Sequence, residues 1–385
     1  MYFRKIKLEL AATETCFLWG PRQTGKTTLL RNLFPGARYY DLLLSDVYQT
    51  LLLHPQQIRE ELLAAGVNGE NQESPVIIDE IQKLPSLLDE IHWLIENRKI
   101  RFILCGSSTR KLRRSHANLL GGRAVRYHLY PLVYPEVSDF EIVKALNRGM
   151  LPRHYQSRSA RRLLQSYTGD YLQQEITAES LTRNIPAFGR FLEIAALGNG
   201  ELLNYNNMAA DCGVSAPTAK EYYRILEDTL IGSTVSSYRV RSKRRLIHAP
   251  KFYFFDVGIV GYLTRRGELQ QGSELFGKAF EHFIYLELQA HCAYSEKFYP
   301  ITYWRTSSGF EVDFILGNHE VAIEVKSADQ IRSRHFSGIR AFMEEYTPAK
   351  AIIVSFDPVA RRTDDGILIL PWKEFLEKLW GDVLI

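Results

Sequence analysis

The sequence predicts an α/β protein whose first third is a parallel β-sheet covered by helices. Short apolar segments alternate with helical segments there, as in parallel sheets built from strand–helix–strand units. A glycine-rich loop of the phosphate-binding pattern, Gly20–Thr28, also stands between a predicted strand, Thr15–Trp19, and a helix that starts at Thr27. The other strands predicted in this sheet are Ala37–Asp41, Pro75–Ile78, Phe102–Cys105 and Ala124–Leu129.

Composition bounds the class of protein. A chain of 385 residues is long enough for two or three domains, and 45% hydrophobic with 24% charged residues is typical of globular proteins. The net charge of +4 permits a nucleic acid partner without requiring one. The four cysteines form no CxxC pair, and no apolar run is long enough to span a bilayer. We therefore expect a cytoplasmic protein with no membrane partner.

The glycine-rich loop predicts a nucleotide site. Backbone N–H groups of such a loop surround phosphates at the N-terminus of the following helix. Lys26 would reach the β- and γ-phosphates, and the Thr27 hydroxyl would bind Mg²⁺. The residues predicted to bind the nucleotide are Gly20, Pro21, Arg22, Gln23, Thr24, Gly25, Lys26, Thr27 and Thr28.

Two acids, Asp79 and Glu80, follow the apolar strand Pro75–Ile78. The carboxyl end of a strand in this type of sheet points at the nucleotide. Asp79 would hold Mg²⁺ through water, and Glu80 would orient or deprotonate the attacking water. Adjacent acids favour an ATPase over a GTPase, and a small-molecule kinase would usually lack the second acid. The expected cofactors are therefore ATP and Mg²⁺.

Two further positions are candidates for the same site. Ser107 or Ser108, after the next strand, could sense the γ-phosphate, but a serine there could equally cap a helix at Thr109–Leu112. Arg123, and after it Arg126, is a candidate arginine finger that reaches the γ-phosphate of a neighbouring subunit.

Several motifs together resemble the AAA+ ATPases that precede a DUF4143 domain. They are Gly20–Thr28, Ile77–Pro85, Gly106–Ser108, Gly121–Leu132 and Lys251–Gly258. The resemblance covers nearly the whole chain. It implies an AAA+ core that binds Mg-ATP, and a homo-oligomer that could form a ring. It also implies a winged-helix segment and a C-terminal α/β domain of the restriction-endonuclease type. One departure is Arg153-His154, where the family usually carries an acid.

The domain organisation expected from the chain and from this resemblance has four parts. They are an AAA+ core at 1–132, a helical lid at 133–190, a winged-helix-like segment at 191–256 and a nuclease-like domain at 257–385.

The middle of the chain can be read as a helix-turn-helix. Helices are predicted at Tyr205–Cys212 and Ala216–Leu230, and a β-hairpin at Tyr238–Phe255 with a basic tip, Arg239–Arg245, would be the wing. The basic residues could neutralise DNA phosphates. Acids offset the basic residues on the second helix, so a structural winged helix that packs against the ATPase is an equal alternative.

The C-terminal third carries a set of carboxylates. Glu311 and Asp313 alternate on one predicted strand, Phe310–Leu316, and Glu324 and Lys326 follow on the next, Val321–Val325. With Glu281 on the preceding helix, Gly277–His291, they are similar to the PD-(D/E)xK nuclease core. That resemblance implies Mg²⁺ on Asp313 and Glu324, attacking water positioned by Lys326, and Glu281 completing the acid set. The alternative is an ordinary sheet surface with a cross-strand ion pair.

Two functions follow from these observations. One is an ATP-hydrolysing, Mg²⁺-dependent protein coupled to a DNA-associated nuclease-like domain. The other is an ATP-dependent regulatory switch whose C-terminal domain is a non-catalytic module that binds DNA or an unidentified protein.

Overall fold

A computed structural model describes residues 2–110, 120–172, 184–240 and 242–385. The chain divides into two compact units. The nucleotide-binding unit contains residues 6–131 and 225–231, and the C-terminal unit contains the first residues to Lys5 with 132–224 and 232–385. None of the helices in the described segments is both long and apolar enough to cross a bilayer.

The nucleotide-binding unit is built on a five-stranded parallel sheet in the order β2-β3-β4-β1-β5. Its strands are β1 (Thr15–Trp19), β2 (Tyr39–Asp41), β3 (Val76–Asp79), β4 (Phe102–Gly106) and β5 (Ala124–His128). Every residue of β1, β3 and β4 is buried, as expected for central strands covered on both faces. This architecture confirms the predicted fold class.

Helices accompany this sheet, and the apolar faces of the second, third and fourth form one core with it. They are α1 (Lys26–Leu33), α2 (Ser45–Leu53), α3 (Gln57–Ala64) and α4 (Leu87–Arg98). Strand β2 is shorter than predicted because Ala37 closes a turn, with its N–H donated to the Phe34 carbonyl over 3.1 Å.

The C-terminal unit begins with helices. They are α5 (Ile142–Arg148), α6 (Pro152–Gln156), α7 (Ala160–Ser166), α8 (Ile185–Leu197), α9 (Tyr205–Cys212) and α10 (Ala216–Asp228), followed later by α11 (Val257–Leu263). The last residues of α10 are counted with the nucleotide-binding unit.

Helices α9 and α10 are the predicted helix pair. Gly213 ends α9 in the left-handed region, with φ of 68°, and Asn204 caps its N-terminus. Helix α10 ends before the predicted Leu230 because Leu230 itself adopts a left-handed φ of 60°.

The hairpin that follows begins earlier than predicted. Strand β6 (Gly232–Val235) pairs antiparallel with β7 (Lys251–Phe254). The described residues between them, 236–240 and 242–250, do not form a regular strand of this hairpin. They bridge instead to the neighbouring C-terminal sheet, at Ser237–Tyr303 and Leu246–Thr306.

The C-terminal sheet has six strands in the order β12-β13-β11-β10-β9-β8. Its strands are β8 (Ile301–Arg305), β9 (Glu311–Leu316), β10 (Val321–Val325), β11 (Lys350–Ser355), β12 (Arg361–Arg362) and β13 (Leu368–Pro371). Strands β8, β9 and β10 form an antiparallel meander, and β10, β11 and β13 are parallel. Its helices are α12 (Glu274–Tyr294), α13 (Ser337–Met343) and α14 (Trp372–Trp380).

Helix α12 is longer than predicted because Ser273 caps it, accepting the N–H of Phe276. The alternation along β10 divides the packing of this sheet. Ile323 and Val325 belong to the core shared with α12 and α14, whereas Ala322 belongs to the core shared with α13. Both faces of the sheet are therefore covered.

Candidate functional sites

The glycine-rich loop lies at the carboxyl end of β1. Gly25 has a φ of 94°, in the left-handed region that favours glycine, and α1 begins at the next residue. A Cβ on Gly20 would stand 2.4 Å from the Leu129 carbonyl oxygen, so that position also requires glycine. The buried Thr24 hydroxyl donates to the Pro21 carbonyl over 2.8 Å. Contacts within the loop therefore stabilise its conformation.

Lys26 is a buried cation within this loop. Its Nζ donates to the carbonyls of Gly20 over 2.7 Å and Pro21 over 3.0 Å. The ion pairs found within the described segments include none to Lys26. A buried ammonium that is held by neutral carbonyls suits an anionic ligand such as a phosphate, which would stabilise its charge more strongly.

Thr27 and Asp79 are in direct contact. The Thr27 hydroxyl donates to Asp79 Oδ2 over 2.8 Å, and the hydroxyl of Tyr39 on β2 donates to the same oxygen. Burial, together with Asp79, raises the pKa of Tyr39, so the phenol keeps its proton. A hydroxyl beside a carboxylate supplies the oxygen ligands that Mg²⁺ prefers, so these residues fit the expected ion.

Glu80 directly follows β3 in a left-handed conformation with φ of 59°. Its buried carboxylate accepts hydrogen bonds from the Gln82 amide and, over 3.3 Å, from the Ser107 hydroxyl. Gln82 also donates to Ser107 over 3.1 Å, while the Gln82 Oε1 atom is buried with no hydrogen-bond partner. These three side chains form one polar group at the carboxyl ends of β3 and β4.

Sequence reasoning missed Gln82 and Tyr39. The signal for Gln82 was a lone amide just after the two acids, and for Tyr39 a hydroxyl near the end of a predicted strand. The two serines differ in their contacts. Ser107 contacts Glu80, whereas the Ser108 hydroxyl accepts the N–H of Arg110 over 3.3 Å, as a capping serine does. Lys111 and Leu112 of the predicted helix lie outside the described residues.

The proposed finger residue, Arg123, is half-exposed and pairs with Glu96 on α4. This contact lowers the pKa of Glu96. Arg126 lies on β5 beside Phe17 and is exposed.

A second ion pair involves Asp228, one of the acids expected to offset the basic residues of α10. Asp228 is bound to the buried Arg110 over 3.1 Å. It is therefore part of the nucleotide-binding unit.

The second candidate site is the carboxylate cluster, defined as Glu281, Glu311, Asp313 and Glu324 with the ammonium groups of Lys251 and Lys326. Lys326 Nζ lies 2.5 Å from Glu324 Oε1 and 3.9 Å from Asp313 Oδ2. Asp313 Oδ2 also accepts the N–H of Val325 over 2.7 Å. The antiparallel pairing of β9 and β10 brings these groups together.

Glu324 is a buried acid of the cluster whose pKa is raised. Burial, and then the negative charge of Asp313, raise the pKa of Glu324, and the nearby ammonium of Lys326 only partly opposes them. Its Oε2 atom is buried and has no hydrogen-bond partner. This atom is available to a cation.

Glu281 projects from α12 toward the same cluster. Its Oε1 accepts the Tyr253 hydroxyl over 2.6 Å and lies 3.4 Å from Lys251 Nζ. Burial, with a further contribution from Asp313, raises the pKa of Glu281, and the positive charge of Lys251 opposes this rise. The structure thus brings together Glu281, Asp313, Glu324 and Lys326, the four residues selected from the sequence.

Lys251, at the start of β7, was missed as a site residue. Only 3% of its surface is exposed, and its Nζ lies 2.7 Å from Glu311 Oε1 in addition to its contact with Glu281. Glu311 has a second partner, Arg305, at 3.1 Å. The available signal was a lysine at the head of an otherwise apolar strand.

The donor set limits what the cluster can hold. No three histidine, cysteine or acidic side chains within the described ranges are arranged to hold a metal ion. Asp313 and Glu324 remain as a pair of acids, with one unpartnered oxygen on Glu324. The residues present therefore fit one Mg²⁺ ion on that pair, and Glu281 is held by Lys251 and Tyr253.

Asp256 and His154, two residues of the segments that were compared with the family, have structural roles. Asp256 caps α11 through the N–H of Gly258 at 2.9 Å and accepts the N–H of Met150 at 2.6 Å. His154, at the departure from the family pattern, is buried with neither ring nitrogen hydrogen-bonded. Burial lowers the pKa of His154 to about 4, so it is a neutral core residue.

The described part of the predicted DNA-reading segment contains a groove and an arginine that is engaged in ion pairs. An open groove of about 620 Å³ lies at the N-terminal ends of α9 and α10, and Asn204, Tyr205 and Lys220 contribute to its lining. In the basic tip, Arg244 pairs with Glu344 and, over 2.9 Å, with Glu345. Arg241 of the same tip lies outside the described residues, as do residues 111–119.

The fold and the first site define a phosphate-loop protein of the AAA type that binds a nucleotide. Family models agree, matching an AAA domain (AAA_14) at residues 12–138, a domain of unknown function, DUF8612, at 139–270, and another, DUF4143, at 276–375. The AAA_14 and DUF4143 matches, each to a part of the chain, confirm the resemblance noted in the sequence.

Two relatives among the curated proteins are named as uncharacterized proteins. The chain is 25% identical over 333 residues to the uncharacterized protein Mb2031c of Mycobacterium bovis, covering 84% of this chain and 72% of that protein. It is 23% identical over 427 residues to the uncharacterized protein MJ1637 of Methanocaldococcus jannaschii, covering 94% and 84%.

Among solved structures, the Aeropyrum pernix ORC1 protein in complex with DNA is 13% identical. This likeness covers 66% of this chain and 86% of that one at a TM-score of 0.25.

Proposed function

We propose that this protein is a Mg²⁺-dependent ATPase coupled to a DNA-associated, nuclease-like C-terminal domain. The observation that carries the ATPase part is the hydrogen bond from Thr27 to Asp79. It joins the glycine-rich loop to the acid at the end of β3, and Glu80 is next to that acid.

The residues of the nucleotide site have distinct proposed roles. Lys26 and the backbone N–H groups of the loop bind the phosphates. Thr27 and Asp79 hold Mg²⁺, which when bound neutralises charge on the phosphates. Glu80 accepts a proton from the attacking water, and Ser107, which contacts Glu80, orients that water.

The carboxylate cluster supports phosphodiester hydrolysis as the second reaction. Asp313 and Glu324 would hold one Mg²⁺, whose chemistry is to lower the pKa of water and to neutralise phosphate charge. The ammonium of Lys326, between these two carboxylates, would position the water that attacks phosphorus. The groove beside α9 and α10 and the basic residues near it would contact the DNA backbone.

One observation favours the alternative function, a regulatory switch with a non-catalytic C-terminal module. Both lysines of the cluster are already paired with its carboxylates, so the acids are partly neutralised without a metal. Such a module would bind DNA or a protein and respond to the nucleotide state. We expect a homo-oligomer in either case, because the finger assigned to Arg123 would act between subunits.

Cleavage of plasmid and single-stranded DNA tests the nuclease part. The wild type is incubated with each DNA in Mg²⁺ or Mn²⁺, beside Lys326→Ala and a matched surface control, Lys378→Ala. We expect cutting by the wild type and the control, no cutting by Lys326→Ala, and equal ATP hydrolysis by all three. A wild type that cuts neither DNA with either ion overturns the nuclease part and leaves the switch function.

DNA-stimulated ATP hydrolysis tests the coupling. We expect DNA to raise the ATPase rate of the wild type and of Lys326→Ala alike, because this variant retains the DNA-binding residues. An ATPase rate that is indifferent to every DNA form removes DNA as the partner.

A further inference from the structure

The ammonium of Lys251 occupies a position between two carboxylates of the cluster. Its Nζ lies 2.7 Å from Glu311 Oε1 and 3.4 Å from Glu281 Oε1. Its side chain is 4% exposed, and the Tyr303 ring stands over it with its centroid 5.4 Å away. A lysine this deeply buried is stable as a cation only where carboxylates compensate it.

The other ammonium of the cluster has a separate position. Lys326 contacts Glu324 and Asp313, whereas Lys251 contacts Glu281 and Glu311. The cluster is thus divided into two pairs of acids, each pair with its own lysine. The orphan carboxylate oxygen, Oε2 of Glu324, belongs to the pair that contacts Lys326.

We propose that Lys251 is a positioning residue that replaces a divalent cation, so that the carboxylate cluster binds one metal ion instead of two. The ammonium holds Glu281 and Glu311 together and keeps Glu281 out of the metal ligand set. The single ion binds Asp313 and Glu324. This inference deepens the proposed nuclease-like site and rests on it for the role of that single ion.

The charge balance explains the effect of removing this lysine. With a neutral side chain at position 251, Glu281 and Glu311 keep as counter-charges Arg305, 3.1 Å from Glu311, and Lys326, whose main partners are Asp313 and Glu324. Two carboxylates without sufficient positive charge repel each other, and a divalent cation with oxygen ligands is the natural replacement. The variant should therefore acquire a metal site that the wild type does not have.

Direct counting of bound Mn²⁺ tests the proposal without any cleavage assay. All proteins are full-length, nucleotide-free and carry Asp79→Asn, which removes the metal ligand of the nucleotide site. Isothermal calorimetry and electron paramagnetic resonance count the ions. We expect one Mn²⁺ for the Asp79→Asn protein, one with Lys251→Arg added, two with Lys251→Met added, and none with Glu324→Gln added.

Thermal unfolding gives an independent readout. A second ion at about 100 times its dissociation constant should raise the Tm of the Lys251→Met variant by about 5–10 °C more than that of its parent. A purely structural lysine would lower Tm with or without Mn²⁺. Equal ion counts and equal Tm responses in Lys251→Met and its parent overturn the proposal.

A double variant and the ion count of the parent protein complete the test. If Lys251→Met does not fold without metal, the double variant Lys251→Met/Glu281→Gln removes one repelling charge; we expect it to fold and to bind one ion. Recovery of two ions in that double variant also overturns the proposal. A parent that binds no ion, with one gained in Lys251→Met, supports the role of Lys251 and instead contradicts the metal site assigned to Asp313 and Glu324.

Discussion

The Thr27 hydroxyl donates a hydrogen bond to Asp79 Oδ2 over 2.8 Å, and this contact joins two segments that are far apart in the sequence. Strand β4 lies between β1 and β3 in the sheet, so the contact forms because all three strands are parallel and end at one edge. The same Asp79 oxygen also accepts the Tyr39 hydroxyl. Two donors therefore orient the carboxylate that we assign to Mg²⁺.

Tyr39→Phe should weaken the response to Mg²⁺ while leaving the fold intact. The change removes one hydroxyl that orients Asp79, and loss of such an outer contact typically costs 10- to 100-fold in metal affinity. We expect the Mg²⁺ concentration for half-maximal ATP hydrolysis to rise about 10-fold. The matched control is Tyr40→Phe, whose hydroxyl contacts Glu61 at 2.9 Å. Equal Mg²⁺ curves for Tyr39→Phe and Tyr40→Phe would remove Tyr39 from the site.

Lys26→Ala should abolish nucleotide binding. Its ammonium is the buried cation of the loop, and in the variant only the backbone N–H groups remain to bind the phosphates. Binding of a fluorescent ATP analogue measures the effect. Lys7→Ala, which removes an exposed lysine of the same unit, should bind like the wild type. Undiminished binding by Lys26→Ala would refute the assignment of this loop to ATP.

Glu80→Gln should bind ATP and hydrolyse it about 10² to 10⁴ times more slowly, the range expected for loss of a general base. The amide keeps the size of the side chain but cannot accept a proton from water. Binding of the ATP analogue, followed by phosphate release in one turnover, separates the two effects. Phosphate release at the wild-type rate would show that Glu80 is not the base.

The segments that follow simple periodicity were predicted well. Strand β1, helix α9 and strand β10 have the predicted bounds, because uninterrupted apolar runs or a clear cap determine them. The start of β2 depends on a turn at Ala37, and the hairpin strand depends on pairing between residues distant in the chain. Such tertiary contacts leave little local signal.

The same distinction holds for the candidate sites. The sequence predicted that Thr27 and Asp79 belong to one site and that Glu324 and Lys326 belong to another, because each motif has a characteristic spacing. Lys251 was missed because its partners, on α12 and β9, are brought together only by the fold. A lysine at the head of an apolar strand is, from sequence alone, more typical of a solvent-facing end.

Arg123→Ala should lower ATP turnover about 10³-fold without weakening ATP binding, if Arg123 completes the site of a neighbouring subunit. Mixing with Glu80→Gln subunits, which still supply the arginine, should restore part of the activity. Glu96→Gln is the control because Glu96 is the partner of Arg123. It should retain turnover, since the finger role needs the arginine alone. Equal losses in both variants, with no rescue on mixing, would assign Arg123 to the ion pair.

A last prediction concerns Glu287 on α12, which is 1% exposed. Its carboxyl group accepts the N–H of Tyr134 over 2.9 Å and the indole N–H of Trp380 over 2.6 Å. Burial is the main cause that raises the pKa of Glu287 from 4.5 to about 8, and these hydrogen bonds only partly oppose it. The folded protein therefore holds this proton over a pH range in which the unfolded chain releases it.

The sign of the pH effect follows from that difference. Between about pH 4.5 and 8 the native state binds more protons at Glu287 than the unfolded state, so this group lowers the free energy of unfolding as pH rises. The slope is at most about 1.4 kcal/mol per pH unit. Glu287→Gln lacks this titration, so urea unfolding at pH 5, 6.5 and 8 should show the variant gaining stability relative to the wild type as pH rises. A difference between the two proteins that is constant across the three pH values would mean that Glu287 is already ionised in the folded protein.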